Sequence, residues 1–331
     1  MSTPPFDVLN ADAVPRTEAI EAFADAVRHG LTQPQRELPS CYLYDEVGSA
    51  LYEAITLLPE YGLSRADERL LFRHTDSILR LLPDRLIVAE LGSGSARKTR
   101  WLLQAFINRA APLIYIPIDL SGSALKNCRK ELFGLGGLRL VDLERSYLEG
   151  LQDVAAHRPP DHTLLVLFLG STLGNFERST AEVFLSEIRR NLQPGDALLM
   201  GTDLEKPKAD LLLAYDDPLG VTAAFNRNLL VRVNRELNGD FVLSHFYHDV
   251  RYDAAQRRIE MHLRSDRRQT VRIEDVELTC DFQTDETIWT ESCHKFNLDE
   301  LRAMASRSGF YSAAQWIDND WPFVESLWFA D

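Results

Sequence analysis

The stretch VAELGSGSARKTRWLL (Val88–Leu103) sets an acid, Glu90, two residues before Gly92 and follows it with Gly94. Glycines after an apolar run let the backbone turn sharply and approach a ligand closely. Two ligands suit such a turn, a nicotinamide dinucleotide and S-adenosylmethionine. A dinucleotide loop needs a third glycine, so that the next helix can pack tightly on the strand. Here Ser95, Ala96 and Arg97 follow Gly94, and that glycine is missing. The E-x-G-x-G form therefore favours S-adenosylmethionine, which brings a nucleoside and an amino acid but no pyrophosphate. Asp119, closing YIPIDLS, is placed to accept from both ribose hydroxyls, as an acid does in either cofactor class. Asp142 and Leu143 follow the next apolar run and suit the adenine amino group and ring. Lys98, at the helix start, suits the carboxylate of the cofactor.

A second group of residues suits an amino-acid substrate. Asn175 follows Gly174 beyond an apolar run, where an amide can donate to a carboxylate. Tyr44, Tyr61 and Tyr215 are either packing tyrosines or the walls of a methylammonium pocket, where each ring face attracts a cation by about 0.5–2 kcal/mol. Glu291 lies in an alternating apolar segment and needs a partner there, either an imidazole N–H or an ordinary cation. Met261 reads as a core methionine or a pocket wall. His245 and His248 fall on opposite faces of a strand and do not form a metal pair.

The elements that must position these residues follow from periodicity. RLIVAELG, PLIYIPIDLS, LRLVDL, HTLLVLFLG and DALLMGTDLE read as strands alternating with amphipathic helices, which implies an α/β fold with a parallel, doubly wound sheet. RSTAEVFLSEIRRNLQPG reads as a helix stopped by Gly195, and YSAAQWI and FVESLWFA as a closing hairpin. GVTAAFNRNLLVRVNRELNGD reads as a long helix stopped by Gly239, and residues 245–296 as antiparallel strands. Two domains result: a cofactor domain of residues 63–203 and 296–331, and a substrate domain of residues 1–62 and 204–295.

With 331 residues, 45% of them hydrophobic, the chain can bury one large core or two ordinary ones. A formal net charge of -14 opposes nucleic acid as a partner. No apolar run is long enough to span a bilayer, and MSTPPFDVLNADAVPR lacks the features of a secretion signal. Cys41, Cys128, Cys280 and Cys293 form no CxxC pair, which fits a reducing cytoplasm and no bound metal. The expected partner is a small-molecule amino acid, with no membrane and no obligate protein partner.

Several motifs together carry a specific resemblance. YDEVGSALYEAITLLPEY (Tyr44–Tyr61), ELGSGSARKT, YIPIDLS, FLGSTLGNF (Phe168–Phe176), GTDLEKP and AYDD (Ala214–Asp217) occur in order over nearly the whole chain. The chain resembles the histidine Nα-methyltransferases of ergothioneine biosynthesis. The resemblance implies a Rossmann-like class I methyltransferase domain with a second, α+β substrate-binding domain. It implies that Tyr61, Gly92, Lys98, Asp119, Asp142 and Leu143 hold S-adenosylmethionine, with Tyr61 also bordering the substrate. Gly170, Asn175 and Tyr215 match residues that hold the carboxylate and backbone of the amino acid, and Tyr44 the tyrosine beside the amine. Met261 and Glu291 match residues lining the imidazole pocket. One position departs: the family's serine two residues after that glutamate is Cys293 here.

The expectation is three successive methyl transfers to the α-amine of free L-histidine, giving its trimethyl betaine. Cys293 keeps open an Nα-methyltransferase of another amino acid or amine, such as tryptophan or tyrosine, because a thiol is the weaker hydrogen-bonding group. A nicotinamide-dependent oxidoreductase, opposed by the missing glycine, and a catalytically silent S-adenosylmethionine-binding module are the remaining alternatives.

Overall fold

A computed structural model describes residues 16–331, with side chains from residue 19 onward. The segment read above for a secretion signal thus lies almost wholly outside the described residues. The chain divides into two compact units, one holding Leu63–Glu205 and Lys295–Asp331, the other the described residues up to Gly62 and Lys206–His294.

In the first unit the strands run in the order Phe310–Asp318, Phe323–Ala330, Ala197–Asp203, Thr163–Phe168, Leu86–Leu91, Leu113–Asp119 and Leu138–Leu140. The last five are parallel to one another, and the closing hairpin Phe310–Asp318/Phe323–Ala330 adds antiparallel to Ala197–Asp203. The third apolar run breaks in two, because Leu143–Glu144 pairs separately with the end of Leu113–Asp119. Leu86–Leu91 is the switch point, where the chain leaves first to one neighbour and later to the other. In such sheets the crevice beyond the carboxyl ends of the strands is where ligands bind. Its side chains alternate as the strand period requires: Ile87, Ala89 and Leu91 enter one core layer, Leu86 and Val88 the other.

Two expected stops are displaced. The helix Arg178–Arg190 ends before Gly195, which adopts φ +90° in the turn to the next strand. The helix Val221–Glu236 ends before Gly239; Asn238, with φ +52°, makes the left-handed turn, and Gly239 bridges to Ile273. Asparagine tolerates that region because its side chain is short and polar.

In the second unit Phe246–Asp253, Arg258–Ser265 and Thr287–His294 form an antiparallel sheet, with Arg36–Glu37 parallel at its edge. A separate hairpin pairs Gln269–Ile273 with Leu278–Phe282. Asp45 starts the helix Glu46–Thr56 by accepting from the Gly48 amide at 2.8 Å. It also receives Asn228 and Arg235 from the helix Val221–Glu236, each at 2.7 Å. Burial raises the Asp45 carboxyl, but these donors outweigh it and hold the group below the ordinary range.

The first unit turns on a buried ion pair. Asp196 accepts from Arg158 at 2.5 Å and from the Gln193 and Leu164 amides at 2.7 and 2.9 Å, with both side chains almost fully enclosed. Asp196→Ala strands a buried guanidinium and two amides, and should cost about 3–5 kcal/mol. Urea denaturation measures this, and a loss below about 1 kcal/mol would show the pair to be dispensable.

Candidate active site

Three neighbouring parallel strands end in the residues singled out above. Leu86–Leu91 delivers Gly92, Leu113–Asp119 delivers Asp119, and Thr163–Phe168 delivers Gly170. Gly92 and Gly94 adopt φ +74° and +51°, and Ala96 also turns left-handed at +55°. A Cβ on Gly92 would lie 2.9 Å from the Tyr147 hydroxyl, so only glycine fits there. Asp119 accepts from the Ser121 amide at 2.9 Å and the Gly94 amide at 3.2 Å, which fixes its carboxylate beside the loop. Burial raises its carboxyl above the ordinary range, against the pull of those two amides. Asp142 is held by Arg129 at 2.6 Å, and Leu143 is buried beside it.

Behind the loop lies Glu90, fully buried. It accepts from Thr99 at 2.9 Å and from the Tyr115 hydroxyl at 2.5 Å. Burial pushes its carboxyl up to about 7, with both hydroxyls and Lys98 opposing. Lys98 is salt-bridged to Asp67 at 2.5 Å, and the same Asp67 oxygen accepts from the Gly170 amide at 2.9 Å. Gly170 adopts φ +74°, and a Cβ there would stand 3.2 Å from the Lys98 ammonium. Asn175 closes the short 3-10 turn Thr172–Asn175 that follows.

The second unit gathers the aromatic candidates. Tyr61 and Tyr215 meet edge to face at 5.9 Å, and Tyr44 meets Tyr52 and Phe225 at 5.5 Å each. Burial drives the Tyr61 phenol well above its ordinary range, reinforced by Tyr52, Cys293, Tyr44 and Glu291. Met261 and Glu291 are direct cross-strand neighbours, and a register shift between Trp289 and Glu291 re-aims that strand. Two residues on, Cys293 accepts a hydrogen bond from the Tyr215 hydroxyl at 2.8 Å. His248 is committed to Asn226 and the Tyr215 carbonyl, and among the described residues no His, Cys, Asp and Glu cluster could hold a metal.

The structure thus gathers Gly92, Lys98, Asp119, Asp142, Leu143, Gly170 and Asn175 in the first unit and Tyr44, Tyr61, Tyr215, Met261, Glu291 and Cys293 in the second. Sequence reading missed Asp67, which holds Lys98, and Tyr52 and Phe225, which hold Tyr44. Tyr52 was within reach, an aromatic eight residues after Tyr44 inside YDEVGSALYEAI.

A family model described as "Histidine-specific methyltransferase, SAM-dependent" matches residues 23–330. The chain belongs to that family. Among its relatives, the "Histidine N-alpha-methyltransferase" of Mycobacterium tuberculosis (strain CDC 1551 / Oshkosh) is 38% identical over 91% of this chain and 92% of its own. The protein of the same name from Mycolicibacterium smegmatis is 38% identical over 93% and 95%. "Ergothioneine biosynthesis protein 1" of Neurospora crassa is 30% identical over 72% of this chain, which spans 29% of that longer protein. The protein is accordingly an S-adenosylmethionine-dependent N-methyltransferase, and its parallel α/β unit is the Rossmann-like methyltransferase fold. Among the described residues no helix is long and apolar enough to cross a membrane.

Glu90 gives this methyltransferase a pH signature. Folded Glu90 keeps its proton up to about pH 7, whereas an unfolded glutamate releases it near 4.5. The wild type therefore loses stability as pH rises through that window, by on the order of 2–3 kcal/mol. Glu90→Gln cannot titrate and still reaches Thr99 and Tyr115. Its melting temperature relative to wild type should climb between pH 4.5 and 7, and a constant difference would show Glu90 to be ionised throughout.

Proposed function

We propose that this methyltransferase transfers three methyl groups in succession to the α-amine of free L-histidine, giving the trimethyl betaine used in ergothioneine biosynthesis. The observation that carries the reading is the register of one strand pair. It sets Glu291 opposite Met261 and puts Cys293 two residues further along. A buried carboxylate beside an apolar wall suits an imidazole, whose N–H groups donate.

The loop fits S-adenosylmethionine, because Gly92 leaves a bare backbone under the Tyr147 hydroxyl and Asp119 is locked at the strand end beside it. Bound there, S-adenosylmethionine supplies an electrophilic methyl group on a positively charged sulfur. Asp119 accepts from the ribose hydroxyls, Asp142 and Leu143 take the adenine, and Gly92, Lys98 and Tyr61 complete the set. Asn175, the Gly170 backbone and Tyr215 hold the carboxylate of histidine. Tyr44 orients the amine, which must shed its proton to attack; a neighbouring positive charge favours that loss. Tyr44, Tyr52 and Phe225 offer ring faces to the methylammonium as it grows. Alignment and exclusion of water are the main contributions of the protein, since the methyl donor is already activated.

Mass spectrometry of the protein with S-adenosylmethionine and each of the twenty amino acids tests the reading. Histidine should gain one, two and three methyl increments; methylation of another amino acid alone would overturn it.

Two sets of variants examine the assignments. Asp119→Ala removes a charged acceptor worth about 1.5–3 kcal/mol per hydrogen bond, so affinity for S-adenosylmethionine in calorimetry should fall at least about tenfold. Unchanged affinity would take Asp119 out of the cofactor site.

At the imidazole, Glu291→Ala should cut histidine kcat/KM by about a hundredfold, the cost of losing a charge-assisted hydrogen bond and stranding its donor. Cys293→Ser should leave histidine kcat/KM unchanged or raise it, because the hydroxyl keeps the Tyr215 hydroxyl as a partner. Should Cys293→Ser create histidine turnover absent from the wild type, the natural substrate is a different amino acid.

A further inference from the structure

Asp67 and Glu325 are two acids with no exposed surface, one on the helix Gly62–Leu81 and one on the strand Phe323–Ala330. Neither oxygen of Glu325, and not the Oδ1 of Asp67, receives a hydrogen bond from a donor group among the described residues. The two carboxyl groups face each other in side-chain contact. Two carboxylates only accept, so this contact requires a proton on one of them. Gly201 leaves the room for it: a Cβ there would stand 2.8 Å from Glu325 Oε1. The other oxygen of Asp67, Oδ2, holds the Lys98 ammonium and the Gly170 amide together.

We propose that Glu325 is a positioning residue for methyl transfer: it donates a carboxylic-acid hydrogen bond to Asp67, and Asp67 in turn fastens Lys98, at the cofactor loop, to Gly170, at the loop that leads to Asn175. The chemistry is set by count. Asp67 and Glu90 are the acidic groups facing Glu325, and Lys98 is the facing cation. One cation cannot balance three buried carboxylates, so protons must make up the difference. Burial, reinforced by Asp67, raises the Glu325 carboxyl well above the ordinary range, which makes Glu325 the member of this pair that keeps its proton. Asp67 is then a carboxylate with both oxygens satisfied, and its negative charge stays directed at Lys98 and Gly170. Without the Glu325 donor, the buried Oδ1 can be satisfied only by turning Asp67 or by letting water in. Either change moves the cofactor-side lysine and the substrate-side glycine at once.

The inference rests on the assignment of Lys98 to the cofactor and of Gly170 and Asn175 to the substrate, and its test separates the two. Infrared spectra of wild type minus Glu325→Gln at pH 7 should show the carbonyl band of a protonated carboxylic acid; absence of that band overturns the proposal. Glu325→Leu should weaken S-adenosylmethionine binding in calorimetry and raise the amino-acid KM, each by about tenfold, with kcat changed by less than about threefold. Glu325→Gln, whose amide still donates to Asp67, should restore both constants to within about threefold of wild type. Equal losses in the two variants, or no loss in Glu325→Leu, would reject the donor role. Should Glu325→Leu fail to fold, Asp67→Asn gives the deciding comparison, since exchanging the charged acceptor for a neutral amide weakens the bond and must shift the Glu325 band; an unmoved band overturns the pairing. A wild type that leaves histidine unmethylated sinks the functional reading and leaves the infrared result standing.

Discussion

A carboxyl group at the dry end of the central strand governs the geometry of the cofactor loop. Glu90 shares its side of the sheet with Leu86 and Val88, where an isolated charge would be costly. It persists because Thr99 and Tyr115 both donate to it, one from the helix after the loop and one from the neighbouring strand. Those two bonds set both ends of the turn. Thr99 fixes where the helix Thr99–Arg109 begins, and the seven residues between Leu91 and Thr99 must close the gap with three left-handed positions. The same strand order that places Tyr115 beside Glu90 also brings Asp119 beside Gly94. The placement of Asp119 and the loop thus share one origin, the pairing of Leu86–Leu91 with Leu113–Asp119.

Apart from the enclosed Arg158–Asp196 pair at the opposite edge, the buried charge of the first unit is concentrated at this carboxyl edge. Many ion pairs lie elsewhere on the molecule, such as Arg302 with Asp299 and Arg307 with Glu182, but they are exposed, and such pairs contribute little after screening and side-chain ordering. Asp67, Glu90 and Glu325 are different, since none has water to solvate it. The protonation of Glu90 and Glu325 is tied to geometry, because Lys98 draws both carboxyls down against the rise that burial imposes. The second buried pair, Lys295 with Asp203 at 2.9 Å, is neutral as a unit and receives the Trp321 indole N–H as well. It holds the chain where it returns to the first unit, and needs no extra proton to do so.

What was legible in the sequence follows from the range of the interaction that decides each feature. The parallel strands announce themselves as continuous apolar runs because both faces are covered, and Gly92, Gly94 and Asp119 lie at their ends for local reasons. Glu325 was invisible for the opposite reason. Its residue type in FVESLWFA reads as a solvent-facing position of an edge hairpin, yet the strand pairs with Ala197–Asp203 and is covered on both faces. Asp67 lies in a helix whose periodicity shows an amphipathic face but not that this acid meets Gly170, 103 residues away. The stops at Gly195 and Gly239 were misplaced because a glycine marks a turn, and an asparagine or a capped last turn can end a helix sooner.

The imidazole reading depends on a feature that alternation alone would get wrong. In a regular strand Trp289, Glu291 and Cys293 share a face, but the register shift between Trp289 and Glu291 breaks that pattern. Trp289 stacks on His262 at 5.9 Å, while Glu291 faces Met261. The bulge thus separates the packing residue Trp289 from Glu291, the residue proposed to read the imidazole. Cys293 lies beyond the bulge, in phase with Glu291, and its sulfur accepts from Tyr215 rather than standing alone. A sulfur atom is larger and a weaker acceptor than an oxygen, so Tyr215 is held less firmly than a serine would hold it. Tyr215 also packs against Tyr61. The substitution at Cys293 therefore reaches two tyrosines, which under the proposed assignment would couple imidazole selectivity to the placement of the amino-acid backbone.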